Sequence, residues 1–173
     1  IAVRDGKNTI WDIIRRKYVA LTPEEWVRQH FVHFLVEHKG YPASLLANEV
    51  ALTLNGTSRR CDTVLYDRTL SPRMIIEYKA PHIPITQKVF DQICRYNLVF
   101  RVDYLIVSNG LSHYCCRMDY AHQSYQFLQD VPSYGELYSV GGRNKERQRK
   151  KLGAEARELH GGKMYMYKSV QFA

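Results

Sequence analysis

Residues 73–79 read Arg-Met-Ile-Ile-Glu-Tyr-Lys, and this stretch decides the fold. Met74, Ile75 and Ile76 are apolar in succession, whereas a half-exposed strand alternates apolar with polar residues. A strand of this kind is covered on both faces, so helices must pack above and below the sheet that holds it. Glu77 and Lys79 are two residues apart and share the face of Ile75, at the end of a buried strand. Ionised groups in that position need partners or a metal. A plain Glu–Lys pair on a wet strand face is the competing explanation of the same spacing.

The neighbouring sequence supplies the rest of the sheet. Residues 47–54 and 60–67 read as two strands joined by the hairpin turn Asn55-Gly56. Before them, Thr22 as N-cap, Pro23 at N1 and Glu25 in the capping-box position start a helix. Trp26, Val27, His30, Phe31, Phe34 and Leu35 follow at helical spacing, and Lys39-Gly40-Tyr41-Pro42 closes it. After the decisive strand, Thr86 caps a second helix of about 13 residues through Val89, Phe90, Ile93 and Tyr96. A strand at 103–107 and a hairpin over 113–119 and 124–128 complete the order α-β-β-β-α-β-β-β. That order predicts an α/β fold, a mixed central sheet flanked by helices.

The chain has 173 residues, 45% apolar and 24% charged, the size and mix of one globular domain. No apolar run reaches the ~20 residues of a membrane span, and no signal peptide is visible. Cys61, Cys94, Cys115 and Cys116 lack metal or disulfide spacing and read as small buried hydrophobes in a reducing cytoplasm. His30, His33 and His38 have no third metal ligand at suitable spacing. A GxSxG elbow, a Cys/His dyad and a phosphate loop are all missing, so no nucleotide cofactor is expected. The net charge of +8 is uneven. Residues 1–140 hold 16 Lys+Arg against 14 Asp+Glu, while residues 141–173 hold 9 against 3. The organisation expected is a body over 1–135 and a basic extension over 136–173, with a polar helix at 143–160.

Asp62 opens the strand that precedes Glu77, and pairing of the two strands brings their carboxylates together. Two such groups beside a single lysine repel unless a divalent cation lies between them. Oxygen ligands of this type suit Mg²⁺ or Mn²⁺, which keep waters and bind substrate phosphate. A lysine there can orient an attacking water.

Asp62, followed by Glu77-Tyr78-Lys79, resembles the D…ExK signature of the PD-(D/E)xK nucleases, with Cys61 where that family has its proline. The second helix adds Gln92 and Tyr96, a QxxxY element at i, i+4 spacing. The stretches 21–29, 76–81 and 91–97 are similar to the nuclease domain at the N-terminus of type I restriction enzyme R subunits, a family with small stand-alone bacterial members. The resemblance covers about residues 15–130 and leaves the C-terminal 40 uncovered. It implies a restriction-endonuclease-like αβββαβ core and a magnesium-dependent endonuclease.

The resemblance also implies roles. Asp62 and Glu77 would ligate Mg²⁺ or Mn²⁺ with the backbone carbonyl of Tyr78, and Lys79 would be the catalytic lysine. Gln92 and Tyr96 would orient DNA or the ExK residues, although Tyr96 also fits a core stripe with Val89 and Ile93. Glu25 matches a place where related nucleases carry an extra acidic ligand, and it equally fits a carboxylate favoured by the helix dipole. Lys88 and Arg95 on the second helix, with Arg147 and Lys150 in the tail, are candidates for phosphate contacts. The expected partners are DNA and a second copy of the chain or another defence-system subunit. The rival reading is a nuclease fold kept as a catalytically weak DNA-binding or protein-docking module, and RNA is not discriminated from DNA.

Six Lys/Arg between Arg143 and Lys151 face one acid, Glu146, so the tail should add affinity by releasing counterions from DNA. Truncation after Gly141 is expected to flatten the log–log salt dependence of duplex affinity by about 3–4 units. An unchanged slope in the truncated chain would instead make the tail a solvated helix or a docking arm.

Overall fold

The computed structural model describes residues 1–139. Their order is β1 (Ala2–Arg4), β2 (Lys7–Asp12), β3 (Lys17–Ala20), α1 (Pro23–His38), a 3₁₀ turn (Ala43–Leu45), β4 (Leu46–Leu54), β5 (Thr57–Tyr66), β6 (Pro72–Tyr78), α2 (Gln87–Phe100), β7 (Tyr104–Ser108), β8 (His113–Asp119), β9 (Ser124–Leu128) and α3 (Tyr134–Ser139). β4 to β9 form one six-stranded sheet in sequence order. Every neighbouring pair is antiparallel except β6 and β7, which run parallel across the α2 crossover. The expected αβββαβ core is therefore present as α1, β4–β6, α2 and β7. The expected tail helix at 143–160, with Arg147 and Lys150, lies outside the described residues.

Local chemistry accounts for the boundaries. The Thr22 hydroxyl accepts the Glu25 N–H at 3.0 Å and starts α1, as its capping pattern predicts. Gly40, at φ +71°, takes the left-handed conformation that turns the chain away after α1. Asn55 and Gly56 both have positive φ, the two-residue hairpin turn between Leu54 and Thr57. Thr86 adopts the extended N-cap conformation but makes no side-chain cap bond. α2 ends at Arg101, and Asn97 Oδ1 accepts the Val102 N–H at 2.8 Å.

β6 and β7 are buried along nearly their whole length, as the unbroken apolar run requires. Alternation sends Met74, Ile76 and Tyr78 to one face, against Val27, Phe31 and Leu35 of α1. Ile75 points to the other face, with Val64, Leu105, and Phe90 and Ile93 of α2. Glu77 continues the Ile75 side, so it faces α2. Cys61, Cys115 and Cys116 are buried, and none of the four cysteines is bonded to another.

Residues 1–20 carry no element in the sequence reading, yet the structure forms a three-stranded antiparallel sheet there, in the order β1-β2-β3. Its first hairpin turns on Asp5-Gly6, with φ of 49° and 72°. Ile10 and Asp12 point inward and are buried, and Ile13 and Ile14 pack on the α1 side of the core.

Phe31 is fully buried and meets Tyr78 with ring centroids 5.8 Å apart. Phe31→Ala should cost about 3–5 kcal/mol in denaturant unfolding. Val3→Ala, at a strand position 70% exposed, should change stability by less than about 0.5 kcal/mol.

Candidate active site

Asp62 and Glu77 meet because of strand register. β5 and β6 pair as Val64 with Ile75 and Thr63 with Ile76, so the next step sets Asp62 opposite Glu77. The ladder stops there, and the Asp62 side chain replaces it: Oδ2 accepts the backbone N–H of Tyr78 at 2.8 Å. On the other side of β5, Glu49 lies between the paired residues Asn48 and Val50, at φ +55°. A left-handed glutamate inside a strand costs about 1–3 kcal/mol. Its carboxylate offsets that cost with bonds to Arg15 at 2.8 Å and Arg28 at 3.5 Å.

Glu77 is only 4% exposed. Its Oε1 accepts from Lys79 Nζ at 3.3 Å and from Gln92 Nε2 at 2.8 Å. The same Gln92 amide donates to the Tyr96 hydroxyl at 3.2 Å. QxxxY is thus a brace from α2 onto the ExK carboxylate, and Tyr96 is at once buried and part of the site. The Lys79 N–H is fixed by the Ser108 carbonyl of β7 at 2.9 Å. Glu77 Oε2 is buried with no hydrogen-bond partner. Burial, then the nearby Asp62 charge, push the Glu77 carboxyl up to about 8, while Lys79 opposes the shift.

Two residues of this site were missed in the sequence. Arg28 of α1 donates to Asp62 Oδ1 at 2.8 Å and to Glu25 at 2.6 Å. Burial disfavours its charge, but Asp62 and Glu25 outweigh burial and raise its pKa. Glu25 is taken up by Arg15, Arg28 and Gln29, so it is no free acidic ligand. Its neighbour Glu24 feels the site instead: burial and then Asp62 raise its pKa, and Lys79 lowers it. The sequence signal was the Glu24-Glu25 pair, which a helix points about 100° apart, so only one faces any given neighbour.

The remaining candidates are placed differently. Lys88 and Arg95 are exposed on α2, one turn before and one turn after Gln92, and touch neither carboxylate. Tyr78 turns its ring into the α1 side of the core while its N–H holds Asp62. Among the described residues no three His, Cys, Asp or Glu side chains gather to hold a metal. The set that fits a divalent cation is smaller: the carboxylates of Asp62 and Glu77, the latter with an orphaned buried oxygen. Each carboxylate oxygen of Asp62 keeps a second lone pair beyond its hydrogen bond.

The raised Glu77 proton affinity has a sign. The folded state holds this proton above the ordinary value near 4.5, so metal-free stability should fall as pH rises from about 4.5 through about 8. Glu77→Gln should remove that decline. Urea midpoints measured across this range in a chelator check it, and an undiminished slope in the variant would place the proton elsewhere.

A family profile described as Type I restriction enzyme R protein N terminus (HSDR_N) matches residues 23–132. No curated protein sequence matches the chain. Among solved structures, a fragment assigned as an HsdR subunit of a type I restriction enzyme from Vibrio vulnificus YJ016 is similar, with TM-score 0.53 and 18% identity. That match covers 77% of this chain and 26% of the fragment, so the chain spans about a quarter of its length. A DrdV–DNA complex gives TM-score 0.40 at 18% identity, over 80% of this chain and 13% of that one. A DUF820 protein from Anabaena variabilis ATCC 29413, assigned as a nuclease, gives 0.42 at 14%, over 79% and 88%. The Vibrio likeness bears on the fold alone. The profile runs from the first residue of α1 to just beyond β9 and takes in every residue around Glu77. On that match, the chain belongs to the type I restriction enzyme R protein N-terminal (HSDR_N) family.

Proposed function

We propose that this chain is a Mg²⁺- or Mn²⁺-dependent nuclease domain of the PD-(D/E)xK type that hydrolyses phosphodiester bonds in DNA. One observation carries the reading: Glu77 is buried beside Asp62 with an orphaned oxygen, and burial and the Asp62 charge together raise its proton affinity. A fold without chemistry to perform has no need of that arrangement. Asp62, Glu77 and the Tyr78 carbonyl would hold the cation. Bound there, Mg²⁺ or Mn²⁺ supplies charge neutralisation on the scissile phosphate and lowers the pKa of water.

The protein's own residues do the positioning. Gln92 fixes Glu77 Oε1 from α2, and Lys79, hydrogen-bonded to the same oxygen, would orient the attacking water. Lys88 and Arg95 would contact phosphates without reading sequence. The partners in this reading are DNA and a second copy of the chain or another defence-system subunit, in the cytoplasm. Residues 1–135 would form the nuclease body and 136–173 a basic extension.

A second reading, a docking or DNA-binding module with little turnover, is favoured by one contact. Arg28 already compensates Asp62 at 2.8 Å and competes with any cation there. Weak cation binding in the absence of DNA follows in either case.

Calorimetric titration of Mn²⁺ should show binding that Asp62→Ala and Glu77→Ala each weaken at least about tenfold. Lys79→Ala should keep cation and DNA binding but lower cleavage by about 10²–10⁴-fold. Equal, near-zero cleavage by wild type and Lys79→Ala on single- and double-stranded DNA with both metals would decide for the docking module. Undiminished Mn²⁺ binding in both carboxylate variants would move the metal site elsewhere.

A further inference from the structure

The N-terminal sheet lies entirely before residue 23, outside the stretch that the family profile covers. Its inner face is accounted for by Ile10 and Asp12, which are buried against the body. The outer face is not. Register pairs Trp11 with Tyr18 and Arg4 with Lys7, and alternation puts all four on that outer side. Trp11 is 42% exposed and Tyr18 36%, with ring centroids 5.1 Å apart. The Arg4 guanidinium stacks over the Tyr18 ring at 3.8 Å. Arg16, from the turn into β3, lines the same groove of about 680 Å³, whereas register sets Lys17 opposite the inward Asp12.

Two properties of this face point to one kind of ligand. Arg15 is spent on Asp12, Glu25 and Glu49, but among the described residues Arg4, Lys7 and Arg16 form no ion pair, and the one acid lining the groove is Asp5. A short sheet with exposed aromatic rings set among uncompensated cations is how proteins hold unpaired nucleic acid: bases stack on rings while cations follow the phosphates. Duplex would hide its base faces and use only the charge. From this geometry we infer that the outer face of β1–β3 binds single-stranded DNA, with Trp11 as stacking platform and Arg4, Lys7 and Arg16 as phosphate contacts. The choice of DNA over RNA rests on the nuclease reading above; the surface itself does not. Ala20, at the end of the face, is four residues from Glu24, so their Cα atoms are at most about 14 Å apart.

The test uses the full chain in a chelator, where nothing is cleaved, with labelled oligo(dT) of about 12 nucleotides followed by anisotropy. Trp11→Ala and Tyr18→Ala should each weaken oligo(dT) binding about tenfold, and Trp11→Phe should retain most of it. Duplex of equal length should lose less than threefold in the same variants. In a Trp26→Phe background, oligo(dT) should quench the remaining Trp11 fluorescence. Both rings are solvent-exposed, so unchanged unfolding midpoints will show the variants to be folded. Oligo(dT) affinity unaffected by Trp11→Ala overturns the inference, as does equal loss for duplex and single strand. Tighter binding of oligo(U) than oligo(dT) overturns the assignment to DNA. Binding without metal-dependent cleavage would sink the nuclease reading alone, and cleavage without this binding would sink the present inference alone.

Discussion

A buried chain of alternating charges, Asp12–Arg15–Glu25–Arg28–Asp62, holds the structure together at the point where its parts meet. Asp12 ends β2, Arg15 lies in the turn after it, Glu25 and Arg28 start α1, and Asp62 is on β5. Asp62 extends the chain to β6 through the Tyr78 N–H. Glu49 bridges the same two arginines from β4. Charges taken out of water lose hydration worth several kcal/mol each, and only good geometry offsets that loss. Removing one member leaves its neighbours short of a partner, and breaking a buried pair typically costs about 3–5 kcal/mol. The network is thus a statement of relative position. It ties the N-terminal sheet, the first helix and the central sheet to one arrangement, and it places Asp62.

The two site carboxylates are treated in opposite ways by this arrangement. Asp62 receives a guanidinium and a backbone N–H. Glu77 receives one amide and a lysine at 3.3 Å, all on a single oxygen, and leaves the other oxygen bare. The pair stands as one carboxylate bonded at both oxygens and one bonded at a single oxygen. Such separation of environments is how two like groups come to do different work in one site.

The central sheet could be read from the sequence because its signals are local. The apolar run before Glu77, the Asn55-Gly56 turn and the Thr22-Pro23 helix start each act within a few residues, and the structure contains all three elements. The D…ExK…QxxxY positions also come together, since strand register and helix period fix where each side chain points. Arg28 could not be read this way. Its partner is 34 residues away, and an arginine inside an otherwise apolar helix stripe looks like a solvated position until Asp62 is seen beneath it. The choice between Glu24 and Glu25 needed the same long-range knowledge. The N-terminal sheet went unread for a different reason: its strands are three, six and four residues long, and only the Asp5-Gly6 turn marks them.

Arg28 also bears on how the site could be controlled. Any cation entering beside Asp62 must share that carboxylate with a guanidinium that cannot deprotonate, and must displace the proton that Glu77 holds. Under the proposed function both demands would weaken loading in the free protein. Both would relax when a phosphate arrives, because its negative charge attracts the cation and gives Arg28 and Lys79 an alternative partner. Loading and substrate binding would then be coupled through the same few charges that set the fold, and the restraint would be the ion-pair chain itself.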